Sequence, residues 1–127
     1  MYAPIRPGTD IIFLGALINY AIQNKLYNEE YVKAYTNALT LIHPDFKGPA
    51  DLDGLFSGFN RDTNTYNNAT WQYQTERVRV KVKEKDATGK EVEVEKEFSV
   101  PKQAANLDDG GTVWSHLKKH YARYTPE

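Results

Sequence analysis

The sequence predicts a mixed α/β fold, α+β when the chain is taken by itself, with helices arranged around one long β-hairpin. Three observations carry that expectation. Residues 10–26 are apolar nearly all round a helix, residues 76–100 alternate strictly between apolar and charged side chains, and residues 111–124 carry an apolar stripe at helical spacing. A length of 127 residues suits about one domain. With 40% hydrophobic and 13% aromatic residues there is enough apolar material for a core, which excludes global disorder. The divisions expected along the chain are 1–42 (a loop and two helices), 43–75 (irregular), 76–100 (hairpin) and 111–124 (helix).

Residues 2–6 read as a short strand end. Pro7-Gly8 is a turn signal. Thr9 or Asp10 then supplies a side-chain oxygen to the free N–H groups of a helix over about 10–26. Its residues Ile11, Ile12, Phe13, Leu14, Ala16, Leu17, Ile18, Tyr20, Ala21, Ile22 and Leu26 cover most of the circumference. A surface helix shows one apolar stripe, whereas one apolar all round is buried on several sides. This helix therefore points to a larger body than the chain itself.

Asn28 caps a second helix over about 29–38, with Glu29 and Glu30 at its positive end and Tyr31, Val32 and Tyr35 along one edge. Leu39 to Ile42 reads as a short strand or as the end of that helical unit. From His43-Pro44 to about Thr70 the chain is rich in Gly, Asp and Asn, with Leu55, Phe56 and Phe59 as expected anchors. So long an irregular stretch packs on a partner or performs a task.

The hairpin turns at Asp86-Ala87-Thr88-Gly89. Setting Val82 opposite Val92 and Val80 opposite Val94 places Lys83 by Glu91, Lys81 by Glu93, Arg79 by Glu95 and Arg77 by Glu97. One face is then valine pairs and the other a ladder of opposite charges, each pair contributing about 0.2–1 kcal/mol. In the last helix Val113, Leu117, Tyr121 and Tyr124 mark the expected buried stripe, with Trp114 beside it. Thr125-Pro126-Glu127 reads as the start of a further helix, so both ends of the chain look cut.

Composition narrows function. A net charge of −1, and a basic strand neutralised by its acidic neighbour, argue against a nucleic-acid partner. With no cysteine, this chain offers no thiolates for a disulfide, zinc knuckle or iron–sulfur cluster. The apolar run Ile11–Ile18 is far shorter than the about 20 residues of a membrane-spanning helix, so direct membrane insertion is not expected. His116 and His120 stand one helical turn apart but lack the glutamate and third ligand of a zinc helix, so they read as surface histidines. Asp51-Leu52-Asp53-Gly54 fails the spacing of a calcium loop, and Asn68-Ala69-Thr70 matches a sequon, a frequent chance hit that matters only in a eukaryotic secreted protein.

The segment Arg6-Pro7-Gly8-Thr9-Asp10 has two readings. One is an ordinary capped turn. The other is a ligand loop: Gly8 admits close backbone approach, a helix N-terminus attracts phosphate, Arg6 pairs with phosphate, and an Asp10 carboxylate accepts two hydrogen bonds from a guanine edge.

Those residues, with what surrounds them, carry a resemblance. "YAPIRPGTDIIFLGALINYAIQNKLYNEEYVKAYTNA", "DGLFSGFN" and "LKKHYARYTPE" resemble the catalytic alpha subunit of respiratory formate dehydrogenases, within the molybdopterin oxidoreductase family. The resemblance is carried outside the hairpin, which reads as a lineage-specific variant. It implies an internal piece of a longer subunit, set in a larger α/β domain that binds molybdopterin guanine dinucleotide carrying molybdenum or tungsten. By motif, Arg6, Gly8, Thr9 and Asp10 would be cofactor-binding, with Asp10 on the guanine. The family's cluster cysteines, metal ligand and active-site histidine have no counterpart in this chain, so no catalytic or metal-ligating residue is assigned. The implied partners are the rest of the catalytic subunit and an iron–sulfur electron-transfer subunit, and the implied location is the periplasm. Another molybdopterin oxidoreductase such as a nitrate reductase, and a standalone binding or assembly module docking through its hairpin, remain as alternatives.

Overall fold

A computed structural model describes residues 4–85 and 89–125. The turn expected at Asp86-Ala87-Thr88, the first residues of the expected strand end and the final Pro126-Glu127 lie outside them; residues 4–6 are not a strand. The chain forms two compact units, one of residues 1–39 and 104–127, the other of residues 40–103.

The first unit holds three helices: α1 (Asp10–Gln23), α2 (Glu29–Tyr35) and α3 (Val113–Tyr121). Helix α1 stops before the expected Leu26 because Lys25 takes a left-handed conformation (φ 54°). Leu26 N–H then donates back to the Ala21 carbonyl at 2.8 Å and Lys25 N–H to Ile22 at 3.2 Å, the paired bonds that close a helix C-terminus. Helix α2 starts as expected, Asn28 Oδ1 accepting from Tyr31 N–H at 2.9 Å. Glu29 and Lys33 pair along it at 2.5 Å, and the carboxylate holds the Lys33 ammonium pKa above the usual lysine value. It ends at Tyr35, short of the expected residue 38. Thr36 turns extended, its hydroxyl donating to the Val32 carbonyl and accepting from Ala38 N–H, and so competes with the helical bonds.

Helix α3 is capped by Thr112, whose fully buried hydroxyl accepts from Ser115 N–H and donates to the Asp109 carbonyl, both at 3.1 Å. Of the stripe expected inward, Val113, Tyr121 and Tyr124 are half-buried and Leu117 is exposed at 37%, while Trp114, expected beside it, is the buried residue at 7% exposure. Trp114 packs on Ala38 and Leu107, with Tyr27 tilted against its ring at 4.9 Å and Ile22, Val32 and Leu39 around them. A buried indole carries a large apolar surface, which makes Trp114 the anchor of this helix in the core cluster.

In the second unit, Thr40 and Ile42 bridge Gln103 and Tyr73. Leu41 N–H bonds the Lys102 carbonyl and Gln74 N–H bonds Leu41, so this short extended piece braces the base of the hairpin. The stretch read as irregular contains two short strands, β1 (Phe59–Asn60) and β2 (Thr65–Tyr66), and two 3-10 turns, Pro49–Asp51 and Asn68–Trp71. Of its expected anchors, Leu55 and Phe59 are half-buried, but Phe56 is 66% exposed. The buried residue there is Ser57, which accepts from Lys47 N–H through its hydroxyl, bonds the Thr70 hydroxyl, and receives the Trp71 indole N–H at its carbonyl.

Strands β3 (Thr75–Lys85) and β4 (Glu91–Pro101) form the antiparallel hairpin. Its register differs by two residues from the expected one: Val82 faces Val94, Lys83 faces Glu93, Lys81 faces Glu95, and Arg79 faces Glu97. Val80 and Val92 face Lys96 and Glu84, which bond each other on the valine face. A two-residue slip keeps every side chain on its own face, so alternation alone cannot distinguish the two registers. The observed one also sets Phe98 opposite Val78, an aromatic and β-branched pair. Arg77–Glu97 and Lys83–Glu91 persist as diagonal ion pairs at 3.9 and 3.8 Å.

Candidate functional site

The loop before α1 is a four-residue turn from Arg6 to Thr9. Pro7 stands at its second position and Gly8 at its third with φ +83°, the arrangement of a type II turn. Thr9 N–H closes it onto the Arg6 carbonyl at 3.1 Å, and the Thr9 hydroxyl donates to the same oxygen at 2.7 Å. The positive φ makes glycine the natural residue at position 8, and nothing lies within 4 Å of where a Cβ would stand, so the space over the turn is open.

This corrects the expectation that Thr9 or Asp10 caps the helix through its side chain. Thr9 occupies the cap position, but its side chain makes no capping bond to the first turn. Its backbone (φ −104°, ψ 6°) lies outside the extended region in which a capping side chain reaches the N2 or N3 amide. The hydroxyl is spent on the turn instead. Among the described residues, the first-turn N–H groups of this 14-residue helix are therefore left without a capping side chain, at its positive end.

Arg6, Gly8 and Asp10 are exposed and Thr9 is half-buried. Hydrogen bonds join Arg6 to Thr9 across Gly8, and Asp10 begins the helix directly after them. Among the described residues the Arg6 and Asp10 side chains enter no hydrogen bond or ion pair. The segment thus presents a cation, a carboxylate and uncapped amides around an open glycine turn. That set suits a ligand with an anionic group and a donor edge.

Behind the loop, Gly15 and Asn19 are the buried residues of α1, both against Tyr124. The sequence reading did not single them out. The available signal was a small residue and a polar one at i and i+4, hence on one face of an otherwise apolar helix. Elsewhere, His120 lies on the surface beside Arg123 at 3.2 Å, and His43 Nδ1 accepts from Asp45 N–H. Among the described residues no group of three His, Cys, Asp or Glu is arranged to hold a metal, and no helix is long and apolar enough to cross a membrane.

No family model matches the chain. Individual proteins do. It is 39% identical over 127 residues to the nitrate-inducible formate dehydrogenase major subunit of Escherichia coli K12, and 33% identical over 126 residues to the formate dehydrogenase-O major subunit of the same organism. It is 35% identical over 124 residues to the formate dehydrogenase 2 subunit alpha (cytochrome c-553) of Nitratidesulfovibrio vulgaris Hildenborough. These matches take in 98–100% of this chain, so the hairpin falls inside the matched range rather than outside it. The chain spans about 10% of the length of each relative. With its whole length matched at this level, the chain is the counterpart of one segment of the formate dehydrogenase major subunit.

Proposed function

We propose that this segment forms part of the cradle for a molybdopterin guanine dinucleotide in an enzyme that oxidises formate to carbon dioxide. The observation that carries the reading is the glycine turn of residues 6–9. Among the described residues it delivers a helix N-terminus with no capping side chain, between an Arg6 and an Asp10 that enter no hydrogen bond or ion pair.

These residues fit the guanine dinucleotide end of such a group. An ionised aspartate is an acceptor only, and suits the N1–H and 2-amino donors of guanine. Arg6 and the first-turn amides suit phosphate. Gly8 leaves room for the ligand's close approach, and Thr9 locks the turn through Arg6. The pterin-held molybdenum or tungsten supplies the redox chemistry, while these side chains bind and orient its distal nucleotide. An iron–sulfur cluster would take its thiolates from outside this chain, which has no cysteine. The further partners are the rest of the catalytic subunit and an iron–sulfur electron-transfer subunit, and the location is the periplasm. Formate is favoured over nitrate as substrate because each relative named above is a formate dehydrogenase subunit.

The test is Asp10→Ala in the whole enzyme, with metal and acid-released GMP measured per mole of folded protein. A clear fall in both is expected, and unchanged content of both would overturn the guanine role. The 127-residue chain alone should show no formate turnover; activity of the purified chain in metal-free buffer would refute the reading of it as part of a cradle.

A further inference from the structure

Helix α1 projects most of its apolar side chains outward; Ile11 is 69% exposed. Its two buried residues are Gly15 and Asn19, and both meet Tyr124. Glycine is, proline apart, the least favourable residue for a helix interior, and an asparagine there competes with the backbone. Both are accounted for by this one contact. A Cβ at position 15 would stand 2.8 Å from Tyr124 Cγ, so only glycine lets the ring lie against the helix. Asn19 Nδ2 donates to the Tyr124 carbonyl at 2.8 Å while its Oδ1 accepts from Gln23 Nε2 at 3.1 Å, so both ends of the amide are fixed.

Tyr124 is itself held. Its N–H donates to the Tyr121 carbonyl at 2.9 Å, Arg123 donates to its hydroxyl at 2.9 Å, and the guanidinium carbon lies 4.9 Å from the ring centroid. The next residue, Thr125, shares the wall of a groove of about 700 Å³ with Ile5, Thr9 and Ile12, at the foot of the glycine turn. Gly15 is five residues from Asp10, about 7.5 Å along the axis. A tilt or slide of α1 at the clasp therefore moves Asp10 and the first-turn amides with it.

We propose that Tyr124, clasping Gly15 and Asn19, is a positioning residue for the cofactor loop. It sets the axis of α1 and through it the place of Asp10 and the uncapped amides. This rests on the reading of the loop as a nucleotide site.

The experiment uses the whole formate dehydrogenase carrying this segment, as Gly15→Ala, Gly15→Ala with Tyr124→Ala, and Asp10→Ala. Acid-released GMP and metal per mole of folded protein, the thermal midpoint, and KM for formate in the loaded fraction are measured. Gly15→Ala is expected to weaken cofactor retention about tenfold, the loss usual when the support behind a ligand is removed. The loaded fraction should keep its KM. Removing the ring as well, in the double variant, should not restore retention, because the clasp that sets the axis of α1 is then gone. Full retention in Gly15→Ala alongside loss in Asp10→Ala overturns the positioning role and leaves the nucleotide site standing. Full retention in both overturns the site and the positioning role with it. Full retention in the double variant, which lacks the ring altogether, overturns the clasp. Should Gly15→Ala not accumulate folded, Asn19→Asp, which keeps the volume and removes the donor to Tyr124, decides on the same measurements.

Discussion

Gly54→Ala and Gly58→Ala should differ sharply in cost although both glycines have nearly the same backbone, φ +85° and +80°. At Gly54 nothing lies within 4 Å of a new Cβ. The cost there is left-handed strain of about 1–2 kcal/mol, less about 0.4–1 kcal/mol from the stiffer unfolded chain. At Gly58 the same Cβ would stand 1.9 Å from the Asn67 carbonyl oxygen and 3.3 Å from Thr70 Oγ1. The backbone must move, which adds about 1–3 kcal/mol. That movement also breaks the bond from Asn67 N–H to the Gly58 carbonyl, 2.9 Å long, for about a further 0.5–1.5 kcal/mol. Gly58→Ala should therefore be about 2–4 kcal/mol worse than Gly54→Ala. Equilibrium urea unfolding followed by tryptophan fluorescence measures this, since Trp71 bonds Ser57 next to the turn. Hydrogen exchange at the Asn67 amide reports the same loss locally. A difference below about 1 kcal/mol, with the Asn67 amide still protected, would refute the claim that close backbone approach, beyond φ alone, requires glycine at position 58.

Two further predictions concern the core and the hairpin. Trp114→Ala should destabilise the first unit by about 3–5 kcal/mol through the cavity left among Ala38, Leu107 and Tyr27, whereas Leu117→Ala, on the exposed side of α3, should cost less than half as much; thermal unfolding of the two variants decides it. Paired cysteines at Val82 and Val94 should cross-link under mild oxidation while a pair at Val82 and Val92 should not, because the first two face each other and the second are two residues out of step; the reverse result on a non-reducing gel would restore the register expected from alternation.

The periodicities written in the sequence were enough for the existence and type of the main elements. Apolar coverage marked α1, the Asn28 cap marked the start of α2, and strict alternation marked β3 and β4, because each signal is local and repeats along the chain. The turn at Arg6–Thr9 and the helix start after it were legible for the same reason: a turn glycine and a helix start are neighbours in sequence. What was not legible depended on partners distant in the chain. The register of β3 on β4 is blind to a two-residue slip, since side chains repeat every two residues. That Trp114 is the most buried residue of α3 depends on Ala38 and Leu107, some 76 and 7 residues before it in the chain. Thr9 lay at the cap position by sequence, but its backbone angles sent the hydroxyl to Arg6. Gly15 and Asn19 acquire their meaning only from Tyr124, which lies 105 residues beyond Asn19. Local backbone chemistry is thus determined by sequence alone, whereas the choice among faces, registers and hydrogen-bond partners is settled only when distant segments compete for the same space.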